Sequence, residues 1–193
     1  MKNLVLTKIE DAVGTLTLNN PEQYNSLTPE FLEMIQTGFN ELIEDRSSKV
    51  IVLKAEGKVF STGGNVKGFY DNLPRIKEYS METVGLLNQV ILLMIKSPLP
   101  IIAVVHGMVT GGSLGFVLAS DLILITPQTT FTPYYSVVGY SPDGGWTALL
   151  PSIIGRKRAA EIMMLNKTIT AEQSVLWGIA NQIVEKDKIN DEA

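Results

Sequence analysis

Two pairs of glycines follow short apolar runs of the sequence. Gly63-Gly64 comes ten residues after the run that ends at Leu53, and Gly111-Gly112 comes six residues after the run that ends at Val105. Both pairs lead into helix-compatible sequence, and helix starts expose backbone N–H groups that favour negative charge. The two pairs together predict a candidate oxyanion site, although most glycine pairs only permit turns or close packing.

A carboxylate accompanies a third glycine pair. Asp143 directly precedes Gly144-Gly145 and has aromatic residues nearby; Asp121 is the only other acidic residue between Glu82 and Glu161. Asp121 precedes an apolar run, so we interpret it as a turn or cap residue. For Asp143 two interpretations stand: an ordinary type I turn residue, or a carboxylate whose pKa is raised by apolar surroundings and which abstracts a proton.

A serine suggests a different chemistry. The stretch from Gly111 to Gly115 matches the nucleophile elbow G-x-S-x-G, with Ser113 as the nucleophile. That mechanism needs a histidine later in the chain, whereas His106, the single histidine, comes before Ser113. We therefore expect His106 to be a turn residue, and a serine hydrolase is the least favoured interpretation.

Composition excludes several classes of protein. The 193 residues include 16 Lys and Arg against 20 Asp and Glu, no Cys, and 45% hydrophobic residues. This predicts a globular domain with no disulfide, no metal site and no basic stripe for nucleic acid. The apolar run Leu4–Leu6 is too short for a signal peptide, so we expect a cytoplasmic protein.

One uncharged stretch, Ser97 to Ser120, is long enough to span a membrane. Pro98 and Pro100 open it and several glycines interrupt it. A strand, a glycine turn and a buried helix therefore fit better, and we expect no membrane association.

Hydrophobic spacing predicts strands that alternate with helices, which is typical of an α/β fold. The predicted elements are a β-hairpin of Leu4–Ile9 and Val13–Leu18, a helix from Thr28-Pro29 to Ile43, a strand Val50–Leu53, a helix Met81–Ile95, strands Ile101–Val105 and Leu122–Ile125, and helices Ala159–Leu165 and Ala171–Trp177.

Four ordered segments carry a recognisable pattern. They are Leu18–Pro21 with Asn25–Leu27, then Val50–Lys67, His106–Leu122 and Gly139–Arg156. In these segments the chain resembles the crotonase (enoyl-CoA hydratase/isomerase) superfamily.

The resemblance implies an α/β fold built as a spiral of ββα units. Residues 1–193 are then expected to form a single crotonase-like core domain that lacks most of the family's C-terminal helical trimerisation segment. The implied partner is an acyl-CoA thioester, with coenzyme A as part of the substrate and no separate cofactor. A homotrimer or hexamer is expected if the C-terminal segment is present.

The resemblance also implies roles for particular residues. The backbone N–H groups of Gly64 and Gly112 would form an oxyanion hole, and Asp143 would be the catalytic acid and base. The implied substrate-binding residues are Gln23, Tyr24, Gly63, Asn65, Val66, Lys67, Tyr135 and Tyr140.

At two positions the chain differs from the family's hydratases, and these differences favour one of the family's reactions over the others. Hydratases of the family use two glutamates, and Gly115 and Tyr135 occupy those positions here. Asp143, in contrast, lies where the Δ3,Δ2-enoyl-CoA isomerase branch has its single catalytic acid. The leading hypothesis is therefore an enoyl-CoA isomerase. The alternatives are hydration, decarboxylation or thioester hydrolysis on the same CoA enolate, and a non-catalytic acyl-CoA-binding protein.

Overall fold

The computed structural model describes residues 3–193, and its strands and helices alternate along the chain. The strands are β1 Val5–Glu10, β2 Val13–Leu18, β3 Val50–Ala55, β4 Ile101–Val105, β5 Met108–Thr110, β6 Leu122–Ile125, β7 Thr130–Thr132, β8 Ile169–Thr170 and β9 Gln182–Ile183. The helices are α1 Pro29–Glu44, α2 Val66–Asp71, α3 Ile76–Ile95, α4 Leu114–Leu118, α5 Tyr135–Val138, α6 Leu150–Ile154, α7 Arg156–Leu165, α8 Ala171–Leu176 and α9 Ile189–Glu192.

The larger sheet has the strand order β1-β2-β3-β4-β6-β9. Only β1 and β2 pair antiparallel, as the predicted hairpin, and the remaining neighbours are parallel. Parallel neighbours need crossover connections, which the helices supply. The predicted α/β class is confirmed.

The helices cover the sheet with apolar faces. Thr28 caps α1 as predicted, because its hydroxyl accepts a hydrogen bond from Phe31 N at 3.2 Å. Helix α1 buries Phe31, Ile35 and Phe39, and α3 packs against it. Helix α3 begins at Ile76 rather than Met81, because its first turn is mostly polar and gives no hydrophobic spacing.

Hydrophobic spacing does not predict the second sheet, whose strand order is β5-β7-β8. Its strands are two or three residues long, too short for a periodic pattern. Strand β5 lies between β4 and the second glycine pair, and Val109 forms a parallel bridge with Ser61. This small sheet therefore connects the two glycine-containing loops.

The uncharged stretch of residues 97–120 folds into β4, β5, a 3-10 turn and α4, as the globular interpretation predicts. Among residues 3–193, no helix combines the length and apolar character needed to cross a membrane. Asp121 lies in the bend before β6, which agrees with its interpretation as a turn or cap residue, and its Oδ2 accepts a hydrogen bond from Ile101 N at 2.8 Å.

Candidate active site

A cavity lies where the two glycine pairs approach each other. Its walls are mainly apolar and include the side chains of Leu32, Val84 and Leu87. The residues predicted for the site that line this cavity are Gly64, Val66, Gly112, Tyr135, Tyr140 and Asp143.

The backbone of Gly64 presents an unused donor. Leu27 N donates to Gly63 O at 2.8 Å, and Asn65 N donates to Leu27 O at 3.0 Å. The residues on either side of Gly64 thus make both hydrogen bonds of this parallel bridge. The N–H of Gly64 points away from Leu27 and donates to no acceptor among residues 3–193.

Gly112 lies in the 3-10 turn Gly111–Ser113 that leads into α4. Its N–H is also without an acceptor in the described part of the chain. Gly63 packs tightly against this turn: a Cβ on Gly63 would lie 2.4 Å from Thr110 O, and its φ is +71°. Only glycine fits there, and the close contact brings the two donors to one cavity.

Asp143 is presented by a tight turn. Trp146 N donates to Asp143 O at 3.0 Å, and the two central residues, Gly144 and Gly145, have φ of +52° and +85°. Positive φ at both central positions indicates a type I′ turn, so the type I interpretation is wrong. A Cβ on Gly144 would lie 2.4 Å from Gly112 Cα, which shows that this turn packs directly on the second glycine pair.

Among residues 3–193, Tyr135 is the one residue whose side chain donates a hydrogen bond to the Asp143 carboxyl, from Oη to Oδ1 at 2.5 Å. Burial raises the pKa of the Asp143 carboxyl, and the hydrogen bond from Tyr135 offsets this only in part. Burial and the neighbouring negative charge of Asp143 raise the pKa of the Tyr135 hydroxyl, so that it stays a donor. A carboxyl with a raised pKa beside an apolar cavity is suited to accept and return a proton.

The cavity has no room for a further acid at position 115. A Cβ on Gly115 would lie 2.3 Å from Ile91 Cδ1 and 2.7 Å from Gly144 O. Among the described residues that line the cavity, Asp143 alone carries a carboxylate.

The other predicted binding residues lie outside the cavity lining. Gln23 faces a separate groove, Tyr24 is 54% exposed, and the Lys67 ammonium is exposed and paired with Asp71. Asn65 caps α2, because its Oδ1 accepts a hydrogen bond from Gly68 N at 2.7 Å.

Hydrogen bonds join these residues into one rim beside the cavity. Thr62 N donates to Tyr24 O at 3.1 Å, and Asn65 Nδ2 donates to Ser26 Oγ at 3.0 Å. The segment that contains Gln23 and Tyr24 is therefore attached to the Gly63–Lys67 loop.

The structure does not bring the residues of a serine hydrolase together. The buried Ser113 Oγ lies 2.7 Å from its acceptor Thr110 O, while His106 Nε2 lies 3.1 Å from Gly57 O. His106 lines a different pocket, and burial lowers the pKa of its imidazole. Ser113 thus holds its own turn, and His106 is the expected turn residue.

The sequence reading missed two residues that support the site. Asn25 is fully buried with φ of +50°, and its side chain bonds to Asn20 N, Glu56 O and Phe60 O. Trp146 is fully buried, and its Nε1 donates to Gly111 O at 2.7 Å. Asn25 lies in the first of the four segments that resemble the family, but no local pattern of the sequence predicts its hydrogen bonds to distant residues.

Known proteins are similar to this chain in sequence and architecture. The family model described as Enoyl-CoA hydratase/isomerase matches residues 8–193. The chain is 28% identical to a 1,2-epoxyphenylacetyl-CoA isomerase of Escherichia coli (strain K12), across 100% of this chain and 74% of the relative. It is 27% identical to a trans-2-decenoyl-[acyl-carrier-protein] isomerase of Streptococcus mutans, across 96% of this chain and 71% of the relative.

Solved structures have the same fold. An enoyl-CoA hydratase from Polaromonas sp. JS666 superimposes with a TM-score of 0.92 and 29% identity, and the match covers 98% of this chain and 74% of that one. The matched family model, the relatives and this shared architecture agree with one another. The chain therefore belongs to the enoyl-CoA hydratase/isomerase family, the crotonase superfamily.

Proposed function

We propose that the protein is an acyl-CoA double-bond isomerase that converts a 3-enoyl-CoA into a 2-enoyl-CoA. One observation carries the proposal: the half-buried Asp143 is the one carboxylate among the described residues that line the cavity, and it shares this cavity with the backbone N–H groups of Gly64 and Gly112, which donate to no acceptor in that part of the chain. The relatives named as isomerases are consistent with this reaction.

In the proposed reaction the Asp143 carboxylate removes a proton from C2 of the acyl chain. The C–H electron pair moves into the conjugated system, and negative charge develops on the thioester oxygen. The N–H groups of Gly64 and Gly112 donate to that oxygen, and one such donor contributes about 3–4 kcal/mol to the transition state. The protonated Asp143 then returns its proton to C4, so that the double bond moves from C3–C4 to C2–C3.

The surroundings of Asp143 favour this proton transfer over hydration. Hydration needs a group that activates water and a group that protonates the α-carbon, and the second is missing here. Gly115 has no side chain and its surroundings leave no space for one, while the Tyr135 hydroxyl is a donor held against Asp143. One carboxyl suffices for isomerisation because the same group takes and returns the proton.

The proposed binding of coenzyme A uses the rim beside the cavity. The segment with Gln23 and Tyr24 and the loop Gly63–Lys67 would contact the CoA moiety, and the exposed Lys67 ammonium would face its phosphates. Tyr140 and Val66 would contact the acyl chain from the cavity wall. Assembly as a homotrimer or hexamer, if the family's C-terminal segment is present, is also part of the proposal.

Incubation with a 3-enoyl-CoA tests the reaction, with double-bond position and product mass followed together. The proposal predicts a 2-enoyl-CoA of unchanged mass. A product heavier by one water would favour hydration instead, and a free acid would favour thioester hydrolysis. Tight acyl-CoA binding without any product would favour a non-catalytic acyl-CoA-binding protein.

A further inference from the structure

The peptide between Gly111 and Gly112 carries one of the two proposed oxyanion donors. In a trans peptide the C=O and N–H bonds lie in one plane and point in opposite directions. The direction of the Gly112 N–H is therefore determined by whatever holds the Gly111 carbonyl. Neither flanking residue has a Cβ, so this peptide has unusual freedom to rotate unless another group restrains it.

Among residues 3–193, two groups donate to the Gly111 carbonyl: the backbone N–H of Leu114, which closes the 3-10 turn, and the indole of Trp146, which is the one restraint supplied by a side chain. The indole Nε1 donates to Gly111 O at 2.7 Å, and the side chain is fully buried. The edge of the indole ring packs against the Tyr135 ring, with centroids 6.3 Å apart and an interplanar angle of 84°. The indole therefore has little freedom to move, and it holds the Gly111 carbonyl on the side opposite to the donor.

The Gly63–Gly64 peptide is also held through its carbonyl oxygen, but here the donor is a backbone N–H group. The carbonyl of Gly63 accepts from Leu27 N at 2.8 Å, and the same peptide carries the Gly64 N–H. Both proposed donors thus belong to peptides whose carbonyl oxygen is already hydrogen-bonded. Such a bond polarises the peptide and strengthens its N–H as a donor.

We infer that Trp146 is a positioning residue for the oxyanion hole, and that its indole N–H orients and polarises the Gly111–Gly112 peptide. This inference rests on the proposed role of Gly112. Trp146 also joins the two catalytic elements, because its backbone N–H closes the turn that presents Asp143. The Trp146 side chain orients the peptide that carries the Gly112 N–H, and the Trp146 backbone N–H stabilises the turn that carries Asp143.

The test is to remove the indole N–H and measure the polarity of the site. Two variants do so: Trp146→Phe, and replacement of Trp146 by the near-isosteric benzothienylalanine in a Trp177→Phe background. Trp177→Phe is the matched control, because the second tryptophan of the chain packs on Arg158. The probe is butyryl-CoA labelled with ¹³C at the thioester carbonyl, whose stretching frequency is recorded by infrared difference spectroscopy.

We expect the carbonyl band of bound butyryl-CoA to shift to lower frequency in the unaltered protein and in Trp177→Phe. The shift should be smaller in both proteins that lack the Trp146 indole N–H. We expect kcat for a 3-enoyl-CoA to fall about 10-fold in them with KM little changed, against the 10²–10³-fold cost of deleting an oxyanion donor itself. The acid limb of the pH–rate profile should not move, because Asp143 keeps its turn.

An undiminished band shift in both folded variants would overturn the inference alone. An unshifted band in the unaltered protein would overturn the oxyanion role of Gly112 and, with it, the proposed function. If the Trp146→Phe protein does not fold, the benzothienylalanine variant provides the test, because it keeps the volume of the ring and lacks only the N–H.

Discussion

The two sides of the cavity would provide the proposed chemistry in different ways. On one side the proposed donors are backbone groups, the N–H groups of Gly64 and Gly112. The carbonyl oxygen of each of these two peptides accepts a hydrogen bond that fixes the orientation of the peptide. On the other side a side chain, Asp143, is carried by a turn outside any strand or helix. A backbone donor is fixed by the fold itself, whereas a side-chain acid also depends on how its loop packs against the rest.

This difference explains why each side tolerates different changes. The N–H groups do not depend on any side chain of their own residues, but a Cβ on Gly112 would lie 2.5 Å from Leu87 Cδ2 and would disturb the peptide that carries the donor. Asp143 depends on its own carboxyl, on the Tyr135 hydroxyl at 2.5 Å, and on the packing of Gly144 against Gly112.

The largest effect short of removing the carboxyl should come from Gly144→Ala, which separates the two sides. A Cβ on Gly144 would lie 2.4 Å from both Cα and O of Gly112. Because these are backbone atoms, the clash can be relieved only if one of the two segments moves. We expect kcat for a 3-enoyl-CoA to fall by about 10²-fold, since a displacement near 1 Å is enough to cause such a loss.

Gly139→Ala is the matched control for Gly144→Ala. Its φ of +76° imposes similar backbone strain, but no atom lies within 4 Å of the added methyl group. Equal losses in the two variants would contradict the claim that the contact between the two sides, rather than turn strain, maintains the site.

A smaller effect should follow Tyr135→Phe, which changes only the acid side. The hydrogen bond from Tyr135 lowers the pKa of the Asp143 carboxyl against the larger effect of burial, so its loss raises that pKa further. The base acts in its ionised form, and the acid limb of the kcat profile should therefore move to higher pH. We expect several-fold lower activity at pH 6 and a much smaller loss at pH 9.

Tyr70→Phe serves as the control for this profile, because Tyr70 is 71% exposed on α2. An acid limb that does not move in Tyr135→Phe would mean that Asp143 is not the group that titrates.

The smallest effect concerns stability. Burial raises the pKa of the Asp143 carboxyl above its unfolded value. The group therefore contributes stability at pH below its unfolded pKa, and this contribution is lost as pH rises through the folded pKa. Asp143→Asn removes the cost of a buried charge, so we expect Tm at pH 7 to rise by a few degrees relative to the unaltered protein.

The gain in Tm should shrink as pH falls toward about 3.9, the ordinary pKa of aspartate. Thermal unfolding at a series of pH values measures it. A Tm that is lower in Asp143→Asn at neutral pH would indicate that the carboxylate is paired with a cation rather than held in an apolar site.

The contrast between the two sides also decides what the sequence alone could predict. The strand Ile101–Val105 and the glycine pair after it form a local pattern, and the structure places both where that pattern predicts. The cap at Thr28 and the hairpin are similarly local. Such features follow from hydrophobic spacing and from the conformations that glycine and threonine favour.

Features that depend on distant contacts were beyond that reading. The strands of the second sheet are too short to carry a period, and the Trp146 bond to Gly111 joins residues 35 positions apart. The Gly144-Gly145 pair is a local signal for the type I′ turn at Asp143, but the packing of Gly144 on Gly112 joins distant residues and follows from no local propensity. The residues themselves single out Asp143 as a candidate carboxylate and the resemblance to the family implies its role as acid and base, but the hydrogen bond from Tyr135 emerged only from the structure.

The central claim is that Asp143 carries the proton while the rest of the cavity binds the thioester. Its most direct test measures kcat for a 3-enoyl-CoA and the Kd of a saturated acyl-CoA in Asp143→Asn. Asp121→Asn is the control, since that carboxylate caps Ile101 rather than lining the cavity. We predict a loss of kcat of about 10³-fold in Asp143→Asn with a nearly unchanged Kd. Turnover that persists in Asp143→Asn at the rate of the control would contradict the account.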